Sequence, residues 1–357
     1  MNKKITIENT IKKKSLKRNI SKRMRRNLRF LVIVAATGLL MGLGMSIVRY
    51  FLLGRAVDLA VSMKKGGLLG VLLSLSLYSL EYILFGPRVR RYSLLTTLGL
   101  KTILYAAVVT VIYIGISAIY TAEMSWEVQL PFLAPAYGFS MGAAFVASAV
   151  FMVRDILGKG VFTKIVSGRY HHPFEEKLVF LFLDLVGSTT IAERIGHLKF
   201  HSFLNDFFYD IDEAITGNGG EIYKYVGDEI IVVWRQKPGR SRCLYAWTEL
   251  CNILERRAEV YRKHYGIVPE FRIGIHAGPA VAGELGDSKK EIAYLGDTVN
   301  TASRILSACK DFNRYLLLSA DALEAVETPP SWSAVPVGRV TLRGKKRAVE
   351  LFGLDPA

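Results

Sequence analysis

The sequence predicts an all-α membrane domain followed by an α+β domain built on a ferredoxin-like sheet. Three observations predict it. Long apolar stretches crowd the first 153 residues. From Leu178 onward, short apolar runs alternate with amphipathic segments. The order of those later elements is strand, two helices, hairpin, helix and strand, which is the β-α-β-β-α-β order of a ferredoxin-like sheet.

A chain of 357 residues has room for roughly two domains. The net charge of +16 is unevenly spread. Residues 1–29 hold twelve Lys or Arg and one acid, Glu8. A basic run of this kind suits nucleic acid or a membrane surface. Because it lies directly before an apolar span, it reads as a cytoplasmic membrane flank and not as a nucleic-acid arm. Cys243, Cys251 and Cys309 lack metal-type spacing and fit a reduced compartment.

Phe30–Val48 is a 19-residue stretch without a charge. At about 1.5 Å per residue it nearly matches a hydrocarbon core. Similar stretches follow at about Gly67–Gly86, Leu98–Tyr120 and Leu130–Val153. Four spans return the chain to its starting side, and the basic N-terminus puts that side in the cytoplasm of a cell-membrane protein. Arg88, Arg90 and Arg91 then lie in a cytoplasmic loop, and Glu123 and Glu127 in an external one. Residues 49–65, with Arg49, Arg55, Lys64 and Lys65, fit an external loop poorly. The four-span count still makes them an external loop; the alternatives are that they extend the first helix or lie along the interface. GxxxG pairs at Gly38/Gly42 and Gly138/Gly142 suit close helix contact, within one chain or between two. Glu81 falls inside the second stretch, where it either has a function or pairs with Arg88 or Arg90 at the interface.

The expected organisation is a basic N-terminus over 1–28, a membrane domain over 29–153, a connecting helix over 154–177 and a catalytic domain over 178–357. That domain opens on LVFLFLDLVGSTT, Leu178–Thr190. So short an apolar run suits a strand buried on both faces. It ends in Asp184, a carboxylate that burial disfavours unless a positive partner is present. The small and hydroxylic residues after it suit a turn into a helix whose N–H groups hold an anion. Helices at about Ser188–Gly196 and Leu198–Thr216 follow, the second ended by Gly217-Asn218-Gly219-Gly220. A hairpin pairs Glu221–Tyr225 with Ile230–Trp234 around Val226-Gly227-Asp228-Glu229. Then come a helix over about Arg242–Tyr265, strands at Phe271–His276, Val281–Glu284 and near Ile292–Leu295, and a helix from Thr298 to about Cys309 with Asp297 as candidate N-cap. A strand at Arg314–Ser319, a short helix at Ala320–Val326 and a β-pair at Val337–Arg343 and Val349–Leu354 finish the chain.

In this topology the first strand and the hairpin are neighbours, so Asp184 and Asp228 can meet beside the anion-holding turn. Two carboxylates there suit two-metal phosphoryl transfer. Asn300 and Arg304 share a helix face, one a neutral hydrogen-bonder and the other a permanent cation. Lys224 precedes Asp228 by four residues, an even spacing that shares a strand face unless the turn breaks it.

FLDLVGST, YKYVGDE, RIGIHAG and LGDTVNTASRI, in this order, resemble the catalytic domain of the class III nucleotidyl cyclases. The resemblance covers about Leu178–Leu354. The GG(D/E)EF pattern of diguanylate cyclases is absent. By resemblance, Asp184 and Asp228 hold two Mg²⁺ or Mn²⁺ ions per site, and the backbone of Leu185, Val186, Gly187, Ser188 and Thr189 holds the triphosphate. Lys224 contacts adenine, Asn300 orients the ribose, Arg304 stabilises charge at the α-phosphate, and Arg343 meets the terminal phosphate. The family position that reads the purine together with the lysine is Ala293 here, which lacks a polar side chain.

The resemblance implies a membrane-bound adenylate cyclase acting on ATP as a head-to-tail homodimer, with lipid as its other partner. A guanylate or mixed-purine cyclase, or a catalytically silent nucleotide-binding receptor or scaffold, are the alternatives.

Overall fold

The computed structural model describes residues 31–48, 50–51, 59–83, 94–120, 137–138, 140–150, 152–153, 168–236, 241–288, 290–341 and 348–357. The chain divides into two compact units, residues 1–159 and 160–357.

The first unit is helical. Three of its helices are long and apolar enough to cross a membrane: α1 (Leu31–Val48), α2 (Leu59–Ile83) and α3 (Leu94–Tyr120). The fourth expected span falls partly outside the described residues, and α4 (Ser140–Val150) is a shorter apolar helix within it. Helix α2 begins at Leu59, so Lys64 and Lys65 lie in its first turns and not in a loop. Gly38 and Gly42 bring α1 against Gly66 and Gly70 of α2. A Cβ on Gly42 would meet the Gly66 carbonyl oxygen at 2.0 Å. Ser46 Oγ donates across the same seam to the Ser62 carbonyl at 2.9 Å. This GxxxG pair therefore packs helices within one chain. Glu81 accepts from Lys101 Nζ and Tyr105 OH of α3. Arg88 and Arg90, the partners expected for it, lie outside the described residues.

The second unit is an α+β domain. Its elements are β1 (Phe174–Leu185), α5 (Ser188–Ile195), α6 (His197–Gly217), β2 (Glu221–Val226), β3 (Glu229–Arg235) and α7 (Cys243–Tyr265). They continue with β4 (Phe271–Leu285), β5 (Glu291–Leu295), α8 (Asp297–Asp311), β6 (Leu316–Ser319), α9 (Ala320–Ala325), β7 (Trp332–Val340) and β8 (Val349–Pro356). The sheet runs β2-β3-β1-β4-β6-β8-β7, with β5 paired to β4. The first four strands in this order form the ferredoxin-like core.

Strand β1 is central and buried on both faces. Val179, Leu181, Leu183 and Leu185 pack with Phe203, Phe207 and Ile211 of α6 and Leu244 and Leu250 of α7. Leu178, Phe180 and Phe182 pack with Tyr170, Tyr294 and, from α8, Ala302 and Leu306. The period of two puts Asp184 on this second face. Strand β4 is one strand of 15 residues where the sequence suggested two. It continues through Gly278 and Pro279 opposite Leu178 and Lys177. Those residues look like a break, but glycine at 278 answers to packing, since a Cβ there would meet Thr298 Oγ1 at 2.7 Å. The N-cap of α8 is Gly296, and Asp297 is the first helical residue, where its charge complements the helix dipole.

Helix α8 rides closely on β4. A Cβ on Gly274 would lie 2.2 Å from the Leu306 amide nitrogen, and Thr298 Oγ1 donates to the Pro279 carbonyl at 2.6 Å. Gly274→Ala is therefore expected to destabilise the domain by about 1–3 kcal/mol, the usual cost of overpacking. Chemical denaturation of the purified chain checks this, and an unchanged midpoint would show that α8 is not held so tightly.

Candidate active site

The apolar run of β1 stops at Asp184 and Leu185 because the chain must turn there. The Val186 amide donates to the Glu270 carbonyl at 2.8 Å, and Gly187 takes a left-handed conformation with φ 69°. Helix α5 starts immediately after, with no side-chain cap at its N-terminus. The turn Leu185–Thr189 thus joins a strand end to a helix N-terminus whose first amides lack a side-chain cap, a setting suited to an anion.

Asp228 occupies the two-residue turn between β2 and β3, where Val226 pairs with Glu229. Gly227 precedes it at φ 63°, the left-handed backbone a tight hairpin requires. Strand β3 lies beside β1, with Leu183 opposite Ile230, and this carries Asp228 to Asp184. Burial and the negative charge of Asp228, with a hydrogen bond between the two carboxyls, push the Asp184 pKa up. The Leu185 amide and the Arg272 guanidinium only partly offset this. Burial and the same two aspartates also raise Glu229. Among the described residues no three metal-type side chains cluster, so the constellation is this aspartate pair. Two crowded, partly buried carboxylates with oxygen donors fit hard divalent cations, which would relieve the repulsion that the protein leaves in place.

The other expected residues are placed as follows. Lys224 is exposed on β2, after a register shift between Ile222 and Lys224, and its Nζ pairs with Glu291 of β5 at 3.2 Å. Asp228 lies in the turn beyond the end of β2 at Val226, so strand alternation does not carry from Lys224 to it. Ala293 is buried on β5 opposite Gly283 of β4. Asn300 is exposed and Arg304 half-buried on α8. Among the described residues neither side chain has a hydrogen-bond or ionic partner. Arg343 lies outside the described residues. Sequence reasoning missed Arg272, opposite Asp184 on β4, and Glu291. The only signal for Glu291 was its place two residues before Ala293, just ahead of the strand expected near Ile292–Leu295, which the structure begins at Glu291.

Residues 170–355 match the family model described as Adenylate and Guanylate cyclase catalytic domain. The chain belongs to this family. Cyclase domains of this kind use divalent metal ions and act as dimers. The chain is similar to Adenylate cyclase 2 of Rhizobium meliloti, with 36% identity over 207 residues, 57% of each protein. It is also similar to human Retinal guanylyl cyclase 1, with 32% identity over 176 residues, 48% of this chain and 16% of the relative. The match to Adenylate cyclase 1 of Rhizobium meliloti covers 31% of that protein, so the chain spans about half or less of the curated relatives it matches. A bacterial light-regulated adenylyl cyclase of known structure shares the fold, with a TM-score of 0.53 and 18% identity over 63% of this chain and 65% of that one.

A carboxyl whose pKa rises on folding favours the folded state at low pH. That contribution is full below the ordinary carboxyl value of about 4 and disappears as pH rises through the folded value. Metal-free protein should therefore lose stability as pH rises above about 4, and Asp184→Asn should raise the thermal midpoint at neutral pH in the presence of a chelator. A lower midpoint for Asp184→Asn would contradict the crowding of the cyclase aspartates.

Proposed function

We propose that the protein is a membrane-bound adenylate cyclase that converts ATP to 3′,5′-cyclic AMP and pyrophosphate, working as a head-to-tail homodimer with its N-terminus and catalytic domain in the cytoplasm. The observation that carries this reading is the meeting of Asp184 and Asp228 in a chain whose Asn300 and Arg304 side chains, among the described residues, are unpartnered. Exposed apolar side chains on the β4–β5 hairpin, Val281, Leu285 and Leu295, support a surface that a second copy covers. The three apolar helices of the first unit support the membrane location.

In the reaction the ATP 3′-oxygen bonds to the α-phosphorus, the bond from that phosphorus to the pyrophosphate oxygen breaks, and the hydroxyl proton leaves to solvent. Asp184 and Asp228 would hold two Mg²⁺ or Mn²⁺ ions, which supply charge neutralisation and acidify the hydroxyl. The amides of Gly187, Ser188 and Thr189 at the start of α5 hold the triphosphate, whereas those of Leu185 and Val186 are taken by the Asp184 carboxyl and the Glu270 carbonyl, and Arg343 meets the terminal phosphate. From the partner copy, Lys224 contacts the base, Asn300 fixes the ribose, and Arg304 stabilises the charge that grows at the α-phosphate. Positioning and electrostatics account for most of the acceleration.

The test incubates the purified chain with Mn²⁺ and either ATP or GTP. Cyclic AMP should exceed cyclic GMP. The reverse order would favour a guanylate or mixed-purine cyclase, a reading that Ala293 motivates. No product from either substrate would favour a nucleotide-binding receptor. Arg304→Ala should lower kcat by about 10²–10³-fold with little change in KM, as expected for a contact made mainly in the transition state. A large rise in KM at constant kcat would assign Arg304 to ground-state binding instead.

A further inference from the structure

Strands β2 and β5 are not hydrogen-bonded neighbours in the sheet, yet two tyrosines hold them together. The Tyr223 and Tyr294 rings meet edge to face with centroids 4.8 Å apart, and the Tyr294 amide donates to the Tyr223 hydroxyl at 3.4 Å. The next residue on β2 is Lys224. Its Nζ donates to both Glu291 oxygens, at 3.2 and 3.3 Å. Glu291 and Ala293 are two apart on β5 and share a face of that strand. The base-reading position at Ala293 therefore offers only a methyl group, while a carboxylate stands beside it in contact with the base-reading lysine.

We propose that Glu291 is a specificity-determining residue, accepting a hydrogen bond from the 6-amino group of adenine while Lys224 donates to the adjacent ring nitrogen. The proposal rests on the reading of Lys224 as the base-contacting lysine. An ammonium only donates and a carboxylate only accepts. Adenine presents a donor and an acceptor side by side on that edge, and guanine presents an acceptor and a donor in the reverse order. With guanine, the carboxylate would face a carbonyl oxygen and the ammonium would face an N–H, so both contacts would be lost and both would repel. The Lys224 and Glu291 side chains are 45% and 46% exposed, so the pair is within reach of a ligand. An exposed ion pair also contributes little by itself and opens readily for an inserted base. Lys224 offsets the charge of Glu291, which a triphosphate would otherwise disfavour nearby.

The experiment compares kcat/KM of the full chain, its Glu291→Ala variant and its Glu291→Gln variant for three substrates with Mn²⁺. These are ATP, GTP and purine riboside 5′-triphosphate, which lacks the 6-amino group. The unsubstituted protein should lose about tenfold or more when the amine is removed. Glu291→Ala should lose a similar factor with ATP and gain nothing from the amine, so the two proteins converge on the amine-free substrate. Its preference for ATP over GTP should fall as well. Glu291→Gln keeps an acceptor oxygen and should fall between them. A Glu291→Ala variant that keeps the original ratio of ATP to amine-free substrate overturns the proposal. So does an equal loss with all three substrates in both variants, which would mark Glu291 as structural. If the unsubstituted protein prefers GTP or yields no product, the adenylate reading itself fails, and the proposal fails with it.

Discussion

Two carboxylates, Asp184 and Asp228, are forced together by the sheet, and the rest of the catalytic unit is arranged around that crowding. Strand β1 must be buried on both faces to bring Asp184 to its end, and β3 must lie beside it to bring the hairpin turn alongside. Burial and a like charge at close range raise the proton affinity of Asp184, and among the described residues the Leu185 amide and the Arg272 guanidinium only partly oppose it. A protein under selection for stability alone would replace such a pair with apolar residues. Retaining it makes sense where divalent cations and a polyphosphate complete the site. The uncapped start of α5 directly after Asp184 adds amide donors for the same anion.

Helix α8 carries Asn300 and Arg304, the other half of the proposed site, and its attachment is as strict as that of the aspartates. Gly274 and Gly278 let it approach β4 to a distance that no side chain would permit, and Thr298 fixes its first turn to the Pro279 carbonyl. Asn300 and Arg304 are thereby displayed on a rigid element with no partner among the described residues. Side chains of this kind cost entropy to order, and they are best explained by a ligand that meets them. In the proposed dimer that ligand sits on the aspartates of the second copy.

Much of this was legible in the sequence, and the exceptions have physical reasons. The apolar run of β1 needed no period to be read as a buried strand, but its first residues, Phe174–Lys177, hold three charged side chains in four and looked like linker. The long strand β4 looked like two, because Gly278-Pro279 has the composition of a turn while its glycine answers to helix packing. Asp184 and Asp228 could be joined from topology alone, since a β-α-β-β-α-β order makes their strands neighbours. The Lys224–Glu291 pair could not, because it spans 67 residues between strands that do not share a ladder. In the first unit, Lys64 and Lys65 read as loop residues by charge, whereas α2 takes them into its opening turns. Glu81 was visible as an oddity, but its pairing with Lys101 and Tyr105 depends on how α2 meets α3.

In the proposed dimer one chain supplies the aspartates of a site and a second chain supplies Asn300 and Arg304. This sharing is tested most directly by mixing two inactive variants, Asp184→Ala and Arg304→Ala, and measuring cyclic nucleotide production. Random pairing makes half of the dimers mixed, and each mixed dimer has one intact site of two, so activity should return to about one quarter of the unsubstituted level. A mixture that stays as inactive as either variant alone would contradict a site shared between two copies.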